Sequence, residues 1–239
     1  MTDTKPLADR LVLVTGASRG IGAATAEALA RAGAHVLLTA RTSGGLEEVE
    51  ERVHAAGGSA TIAPMDLTDS DGVARLAAAI AERWTALDAL VLNAAMLGSL
   101  GPVQTIDPKE FARLLTLNIA AQQALIAAFD PMLRVAPGGG SLIAVTSSVG
   151  RAPRAFWGAY GASKAALETL VGAYAEEQHN LGKVRVAIVD PGATRTRMRA
   201  KAFPGEDETT VKPPEVVGDR IAALLASGFD TGHFERVTG

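Results

Sequence analysis

The apolar positions of the chain follow two patterns that alternate along its length. Short runs rich in Val, Leu and Ile are separated by longer segments in which apolar residues recur at helical spacing. The short runs predict strands at 11–15, 34–40, 59–64, 88–93, 141–147, 184–190 and 233–237. The longer segments predict helices at 20–32, 45–56, 69–84, 107–133, 158–180 and 213–226.

The order of these elements predicts the fold class. Strand and helix alternate, which indicates parallel strands joined by right-handed crossover helices. We therefore expect an α/β protein with a doubly wound, mostly parallel sheet of about seven strands and helices on both faces. No linker or internal repeat interrupts the pattern, so residues 1–239 are predicted to form a single domain. Functional residues are expected at the carboxyl ends of the strands, where such sheets bind their ligands.

Composition excludes several classes of function. The formal net charge is −3, the basic residues form no long cluster and only 4% of the chain is aromatic, so we expect no nucleic-acid partner. Without cysteine there is neither a disulfide nor a thiolate nucleophile, and the four scattered histidines have no paired spacing for a metal ion. The polar first residues, and the lack of a run of about 18 apolar residues, predict a cytoplasmic protein without membrane contact.

A glycine-rich turn follows the first predicted strand, in the sequence TGASRGIGAATAEAL at 15–29. Backbone amides at a helix start suit a pyrophosphate, and glycines allow phosphates to approach closely. The three glycines, Gly16, Gly20 and Gly22, are spaced Gly-x3-Gly-x-Gly rather than in the common dinucleotide-binding order Gly-x-Gly-x-x-Gly. The turn therefore predicts a phosphate site, and a ligand-free strand-to-helix turn is the alternative.

The second motif is a tyrosine and a lysine four residues apart, Tyr160 and Lys164, within a predicted helix. This spacing places both side chains on one helix face. A free tyrosine has a pKa near 10, and a cation about 4 Å away stabilises its phenolate by about 4 kcal/mol at an effective dielectric constant near 20. We therefore expect Lys164 to lower the pKa of Tyr160 and the pair to act as a proton donor and acceptor. A packing tyrosine beside a surface lysine is the alternative.

Together, these motifs resemble those of the short-chain dehydrogenase/reductase family. The matching positions, spread over residues 10–237, are Thr15 to Gly22, Asn118, Ser147, Tyr160, Lys164, Pro191, Gly192 and Thr196. The resemblance implies a Rossmann fold, an NAD(P)-dependent oxidoreductase acting on a small carbonyl or alcohol substrate, and assembly as a homodimer or homotetramer. The stretches SSVGRAPRAFWGAY and PGATRTRMRAKAFPGEDE also resemble a bacterial branch of the family, and that likeness implies no particular substrate.

The resemblance also implies the role of each catalytic residue. Tyr160 would protonate the carbonyl oxygen in reduction, or accept the hydroxyl proton in oxidation. Lys164 would bind the nicotinamide ribose, and Ser147, thirteen residues before the tyrosine, would hold the substrate oxygen in preference to Ser148. Asn118 would bind a water that relays protons to the lysine, with a purely structural, hydrogen-bonded asparagine as the alternative.

The end of the second predicted strand bears on the choice of cofactor. An NAD enzyme of this type carries an acidic residue there for the ribose 2′-hydroxyl, but Ala40 holds that place and Arg41 follows. Arg19 would reach the same pocket from the glycine-rich turn, by resemblance. Two guanidinium groups without a carboxylate favour a 2′-phosphate, which predicts NADP(H). Two solvated surface arginines are the alternative.

The resemblance extends to the remaining cofactor contacts, with one departure. The implied cofactor-binding residues are Gly16, Ser18, Arg19, Gly20, Ile21, Gly22, Arg41, Asp66, Leu67, Asn93, Ala94, Tyr160, Lys164, Pro191, Gly192, Thr194 and Thr196. Where the family has Asn-Asn-Ala-Gly, this chain has Leu92-Asn93-Ala94-Ala95. We expect the methyl group of Ala95 to shift the contact slightly without abolishing binding.

The substrate side of the site is less determined by the sequence. Five residues near the motifs predict an apolar wall: Met96, Leu97, Leu100, Phe156 and Trp157. Four arginines flank the same segments and either bind an anionic substrate or are solvated: Arg151, Arg154, Arg197 and Arg199. The polar segment at about 193–214 is predicted to be a lid over substrate and cofactor.

Rival functions remain on the same scaffold. One is a non-catalytic NADP(H)-binding sensor or regulator, although such a protein has no need of Ser147, Tyr160 and Lys164 together. Epimerisation or dehydration is a second, against which the short chain argues. A hydrolase is a third, and Ser147 has no histidine near it in sequence.

Overall fold

A computed structural model describes residues 5–69 and 71–238 of the chain. Each predicted strand is present within a few residues of its expected bounds. The strands are β1 Leu11–Thr15, β2 His35–Thr39, β3 Ser59–Ile62, β4 Ala89–Leu92, β5 Gly140–Val145, β6 Val184–Asp190 and β7 His233–Arg236. The α-helices are α1 Gly20–Arg31, α2 Ser43–Ala55, α3 Gly72–Ala81, α4 Pro108–Leu115, α5 Ala121–Arg134, α6 Gly158–His179, α7 Arg197–Ala202 and α8 Pro214–Ser227.

The strands form one seven-stranded sheet in the order β3-β2-β1-β4-β5-β6-β7. All neighbouring pairs are parallel, so the predicted doubly wound sheet is confirmed. The strand order reverses between β1 and β4, which is where such sheets open a crevice at their carboxyl ends. The glycine-rich turn after β1 and Asn93 after β4 border this crevice.

Helices cover both faces of the sheet, as predicted. One core packs α1, α2 and α8 against residues of the central strands, with Leu29, Leu46 and Ile221 fully buried. The core on the opposite face contains α3, α5 and α6, with Phe129 and Val171 fully buried. Because the central strands β1, β4 and β5 are buried on both faces, they appear in the sequence as continuous apolar runs rather than as alternating ones. The edge strands β3 and β7 are more exposed.

The predicted helix at 107–133 is interrupted in the structure. A π-helical turn, Thr116–Ala120, separates α4 from α5. At its centre the buried Asn118 turns its side chain toward the loop after β4, where it hydrogen bonds to the backbone of Met96. Wider π turns of this kind occur frequently at functional sites, and the apolar spacing of the sequence carries no sign of this one.

The stretch Pro108–Arg134 is long and apolar enough to cross a membrane, by length and composition alone. The same composition is found in core helices of globular proteins. Leu125, Phe129 and Leu133 of this stretch are fully buried against the sheet, which identifies its inner face as part of the core.

Candidate active site

Tyr160 and Lys164 lie one turn apart on α6, and both are buried, with 7% and 3% of their surfaces exposed. The Lys164 Nζ is 5.9 Å from the centre of the Tyr160 ring. It donates a hydrogen bond of 2.9 Å to the backbone oxygen of Val145, the last residue of β5. The predicted pair is therefore held at the carboxyl end of the central strands and does not lie on the surface.

Ser147 joins this pair from the end of β5. It adopts an extended backbone and begins the short 3₁₀ turn Ser148–Gly150. A hydrogen bond with the Ser147 side chain acts to lower the pKa of the Tyr160 phenol. A Cβ atom on Gly150 would lie 3.0 Å from the backbone of Lys164, so a glycine is needed for the turn to pack this close to α6.

The pKa of Tyr160 differs in direction from the prediction. Burial raises it above its usual value, the charge of Asp190 raises it further, and the Ser147 hydrogen bond opposes them only in part. Burial also lowers the pKa of Lys164, to about 8, against the opposing charge of Glu168, so the lysine is still charged at pH 7. The expectation of a lowered tyrosine pKa was wrong because it allowed for charge and neglected desolvation. Tyr160 is therefore a neutral phenol at pH 7, the form that donates a proton.

Asn118 uses both ends of its side-chain amide within the protein. Its Oδ1 accepts from the backbone N–H of Met96 at 2.9 Å, and its Nδ2 donates to the Met96 carbonyl at 2.9 Å. The same Nδ2 donates to the Ser163 hydroxyl at 3.0 Å, which in turn donates to the backbone oxygen of Tyr160 at 2.8 Å. The asparagine thus fastens the loop after β4 to the helix that carries the tyrosine, as in the structural alternative.

The glycine-rich turn is held tightly at the crevice. Gly16 and Gly20 have positive φ angles of 66° and 57°, a conformation that other residues adopt at a cost. A Cβ atom on Gly22 would lie 2.3 Å from the Gly16 oxygen. Asn93, expected to contact the cofactor, donates through Nδ2 to the carbonyls of Thr15 and Gly16, at 2.9 and 3.3 Å. Its side chain therefore fixes the shape of the turn.

The first turn of α1 offers backbone N–H groups to a ligand. Arg19 precedes the helix with an extended backbone, and no side chain caps it. Gly20, Ile21 and Gly22 thus lie where helical N–H groups lack an intrahelical acceptor, an arrangement that suits a phosphate. The turn and the helix start together form a cradle that a larger residue at Gly22 would fill.

Two exposed arginines lie beside this cradle. Arg19 is at its rim, and Arg41 follows β2 close enough to Asp66 for its charge to act on that carboxyl. Within residues 5–69 and 71–238, neither guanidinium forms an ion pair with a carboxylate. Both are therefore available to an anionic ligand, and the donor set fits a cofactor with an additional phosphate group.

The segment after β3 lies at the same edge. Asp66 Oδ1 accepts from the backbone and hydroxyl of Thr68, at 2.9 and 2.8 Å, and these hydrogen bonds hold the pKa of Asp66 below its usual value. The carboxylate is exposed and charged at neutral pH. The side chain of Leu67 is buried in the core, so only its backbone is left to meet a ligand.

The predicted lid begins and ends at fixed points. Thr194 is buried, and its hydroxyl donates to the Pro191 oxygen at 3.0 Å. Thr194 also bridges to Lys212, whose backbone oxygen accepts from Arg195 N–H at 2.8 Å. Thr196 caps α7 through its hydroxyl, and it is the residue that a side chain on Gly20 would meet, at 3.3 Å. The segment between the two ends therefore starts directly over the glycine-rich turn.

Gly192 and Asp190 complete this corner of the site. Gly192 has a positive φ of 60° and donates its N–H to the Asp190 carboxylate at 2.9 Å. A Cβ atom there would lie 3.1 Å from the Lys212 Nζ and from the Val237 oxygen. Asp190 is 4% exposed and was not singled out from the sequence, although it directly precedes the Pro191-Gly192 motif.

Glu168 is a second residue that sequence reasoning missed. Its carboxylate accepts from the Thr146 hydroxyl and from Arg151 Nε, each at 2.6 Å. It follows Lys164 by four residues on α6, so the spacing that identified the Tyr160–Lys164 pair extends to it. A third polar group therefore continues the same face of the helix.

Comparison with known proteins identifies relatives of the chain. Residues 10–207 match the model of a family described as short chain dehydrogenase. The uncharacterized oxidoreductase YciK of Escherichia coli K12 is 38% identical over 211 residues, which cover 87% of this chain and 82% of YciK. A short chain dehydrogenase of Escherichia coli CFT073 in complex with NADPH is 35% identical, with a TM-score of 0.92 over 99% of this chain and all of the other. A Shigella flexneri short chain dehydrogenase in complex with NADP gives the same identity and TM-score over 98% and 99% of the two chains.

Proposed function

The chain belongs to the short-chain dehydrogenase family, and on that premise we propose that it is an NADP(H)-dependent oxidoreductase acting on a carbonyl/alcohol pair. The observation that carries the proposal is the position of the buried Tyr160–Lys164 pair. It lies with Ser147 at the carboxyl edge of the sheet that also bears the glycine-rich turn. A proton donor and a dinucleotide cradle at one edge are what hydride transfer to a carbonyl requires.

The protein's residues divide the proton chemistry among them. The cofactor, when bound, supplies or accepts the hydride. In reduction, Tyr160 donates its phenolic proton to the carbonyl oxygen, and Ser147 donates a hydrogen bond to the same oxygen. The neutral phenol favoured by burial is ready for this step at pH 7. In oxidation the phenol must first lose its proton, and the positive charge of Lys164 favours that loss.

The cofactor preference rests on the two arginines. The N–H groups at the start of α1 suit the pyrophosphate, and Arg19 and Arg41 suit a 2′-phosphate. The NADPH and NADP bound to the two relatives described above support this choice. Pro191, Gly192 and Thr196 would enclose the nicotinamide end, where the lid begins.

The alternative is a sensor that binds NADP(H) without turnover, and the two tyrosines of the chain separate it from an enzyme. Tyr160→Phe removes only the phenolic oxygen at the site. Tyr174→Phe is the matched control, because the Tyr174 hydroxyl donates to Asp130 of α5 at 2.6 Å, and Tyr174 lies ten residues beyond Lys164 on the same helix. We expect Tyr160→Phe to abolish NADPH-dependent carbonyl reduction and to keep NADPH affinity, whereas Tyr174→Phe keeps both.

Two results would overturn parts of this proposal. Retained turnover in Tyr160→Phe refutes the proton-transfer mechanism. Tight NADPH binding by the wild type, without turnover of any carbonyl compound, supports the sensor. Fluorescence titration with NADPH and NADH, followed by a panel of carbonyl compounds, distinguishes these cases.

We further propose that the protein acts as a homodimer or homotetramer. Only 33% of the residues in the most apolar part of the stretch Pro108–Arg134 are buried within the chain. A second copy would cover apolar side chains of this stretch that are partly exposed, such as Leu117 and Ile119. Light scattering coupled to size-exclusion chromatography gives the mass directly, and a monomeric mass contradicts the proposal.

A further inference from the structure

Tyr160 belongs to a small apolar cluster that is separate from the two large cores. Its other buried members are Leu97 and Val149, and four partly buried residues pack against them: Leu100, Trp157, Met198 and Ala202. These residues come from the loop after β4, the segment after β5 and the lid. Three chain segments that are distant in sequence thus place apolar side chains around the phenol.

An aromatic stack links the phenol to the lid. The Trp157 ring meets the Tyr160 ring edge to face, with 6.0 Å between centroids. On its other side, Trp157 lies 5.6 Å from Phe203, which directly follows α7. The tryptophan is therefore both a wall beside the proton donor and the surface on which the lid rests.

Two of the four arginines that flank the site are paired with carboxylates. Arg151 pairs with Glu168 at 2.6 Å, and Arg199 pairs with Glu206 at 2.7 Å. Arg199 also lies 3.6 Å above the Phe203 ring. Each of these two guanidinium groups thus already has a carboxylate partner, which lowers its capacity to bind an anionic substrate.

The other two flanking arginines are exposed. The Arg154 guanidinium lies 5.9 Å from the Trp157 ring and 5.8 Å from the Phe203 ring, a distance at which it interacts with aromatic faces. Around the phenol, all three segments contribute apolar side chains, and Ser147 is the polar group that hydrogen bonds to it.

A cavity of about 250 Å³ opens beside the cluster and shares Leu100 with it. Its lining includes Ala159, the neighbour of Tyr160 in the chain, and two carboxylates, Asp107 and Glu110. The negative charges of these two carboxylates disfavour an anionic substrate in the cavity. The cavity offers room for the part of a substrate that lies beyond its carbonyl group.

We propose that the substrates are apolar aliphatic or aromatic ketones and aldehydes that carry no charge near the carbonyl, enclosed between Trp157 and the lid residue Met198. This rests on the proposed function, since it assigns a substrate class to the same site. Burial of one further methylene strengthens binding about fourfold. Affinity therefore rises with chain length until the apolar space is filled.

The test is a series of 2-alkanones from butanone to octanone with NADPH, compared with the polar dihydroxyacetone and the anionic pyruvate. We expect KM to fall about fourfold per methylene, with kcat changing less, and the polar and anionic compounds to be poor substrates. Trp157→Ala should flatten the dependence on chain length. If Trp157→Ala fails to fold, Met198→Gln replaces it as the test, because it is a milder change at a partly exposed position. Met198→Gln should weaken the dependence of KM on chain length.

Trp84 provides the matched control and a readout independent of turnover. It lies near His35, with centroids 5.7 Å apart, at the amino end of β2. Trp84→Phe should leave the kinetics unchanged, and it makes Trp157 the only tryptophan in the chain. Titration of this variant with 2-alkanones in the presence of NADP⁺ then reports binding through Trp157 emission.

The two measurements, turnover with NADPH and ligand binding followed by Trp157 emission, distinguish a wrong substrate class from a wrong function. Turnover that depends on Tyr160 but favours dihydroxyacetone or pyruvate, or that ignores chain length, overturns the substrate class alone. Chain-length-dependent binding without any turnover overturns the oxidoreductase and keeps the apolar site. Absence of both binding and turnover of the 2-alkanones overturns the substrate class, and the oxidoreductase falls with it only when the wider panel of carbonyl compounds also gives no turnover.

Discussion

The Thr146 hydroxyl donates a hydrogen bond of 2.6 Å to the carboxylate of Glu168. This contact joins the end of β5, immediately before Ser147, to the helix that carries the catalytic pair. Arg151 donates to the other oxygen of the same carboxylate, and only 12% of the Glu168 side chain is exposed. The carboxylate also raises the pKa of Lys164, against the larger effect of burial. Glu168 therefore positions the serine segment and helps to keep the lysine charged.

Replacement of Glu168 by Gln tests this second role. The amide keeps the size of the side chain and an oxygen for Thr146, but it removes the charge. We expect the pKa of Lys164 to fall further below about 8, because the carboxylate charge that raises it is lost. If reduction requires charged Lys164, the alkaline decline of kcat with NADPH then begins at a correspondingly lower pH.

The control for this variant is Glu27→Gln, which also removes a carboxylate that pairs with an arginine, Arg52 at 2.8 Å. Its pH profile should match that of the wild type. A profile of Glu168→Gln that also matches the wild type contradicts the electrostatic role. A loss of kcat at every pH, without a shifted limb, indicates that the residue only positions Ser147.

The buried ammonium of Lys164 should reduce the stability of the protein. Its pKa falls from 10.5 unfolded to about 8 folded, so the unfolded chain binds more protons between these values and stability rises with pH across that interval. Below pH 8 the full cost is present, about 3 kcal/mol. Lys164→Met removes this cost of burying a charge. It also leaves the Val145 oxygen without its hydrogen-bond donor, which destabilises the variant by about 1 kcal/mol.

We therefore expect the free energy of unfolding of Lys164→Met at pH 7 to exceed that of the wild type by about 2 kcal/mol. The variant should accordingly unfold at a higher temperature. The difference should shrink between pH 8 and pH 10. Thermal or urea unfolding at pH 7 and pH 9.5 measures it, with the exposed Lys183→Met as a control that shows no such pH dependence. A less stable Lys164→Met at pH 7 contradicts the prediction.

The elements of the fold were readable from the sequence because they depend on local apolar patterns. Strands buried on both faces appear as continuous runs, and the four-residue spacing of Tyr160 and Lys164 places them on one helix face whatever surrounds them. The direction of the tyrosine pKa was not readable. It depends on how many groups cover the phenol, including Asp190, thirty residues away in sequence.

The contacts of individual polar side chains were harder to predict for the same reason. Asn93 was assigned to the cofactor, and nothing in the sequence indicated that its side chain also binds the carbonyls of Thr15 and Gly16, more than seventy residues earlier. Asn118 meets Met96 from a π turn that the apolar spacing of the sequence does not predict. Arg151 lies near the site in sequence, but its partner Glu168 is brought to it by the folding of α6. Motif spacing therefore predicts which residues lie at the site, whereas tertiary packing determines the hydrogen-bond partner of each side chain.

Arg19 and Arg41 should decide the choice between NADPH and NADH. A charge-assisted hydrogen bond contributes about 1.5–3 kcal/mol, so the variant with both arginines changed to alanine should bind NADPH at least tenfold more weakly. Its NADH affinity should be nearly unchanged. Arg31→Ala is the control, because Arg31 ends α1 and pairs with Asp219 at 2.7 Å. Equal NADPH affinity in the double variant and the wild type contradicts the assignment.

Gly22 tests the cradle itself, independently of charge. The Cβ atom of Gly22→Ala would lie 2.3 Å from the Gly16 oxygen, and this contact is with backbone that cannot turn aside, so the glycine-rich turn must move. We expect loss of NADPH and NADH binding together, since both cofactors share the pyrophosphate. Gly172→Ala is the matched helical control, because nothing lies within 4 Å of its added methyl group, and it should stabilise α6 by about 0.5–1 kcal/mol. Undiminished binding of both nucleotides to Gly22→Ala would show that they do not use the turn.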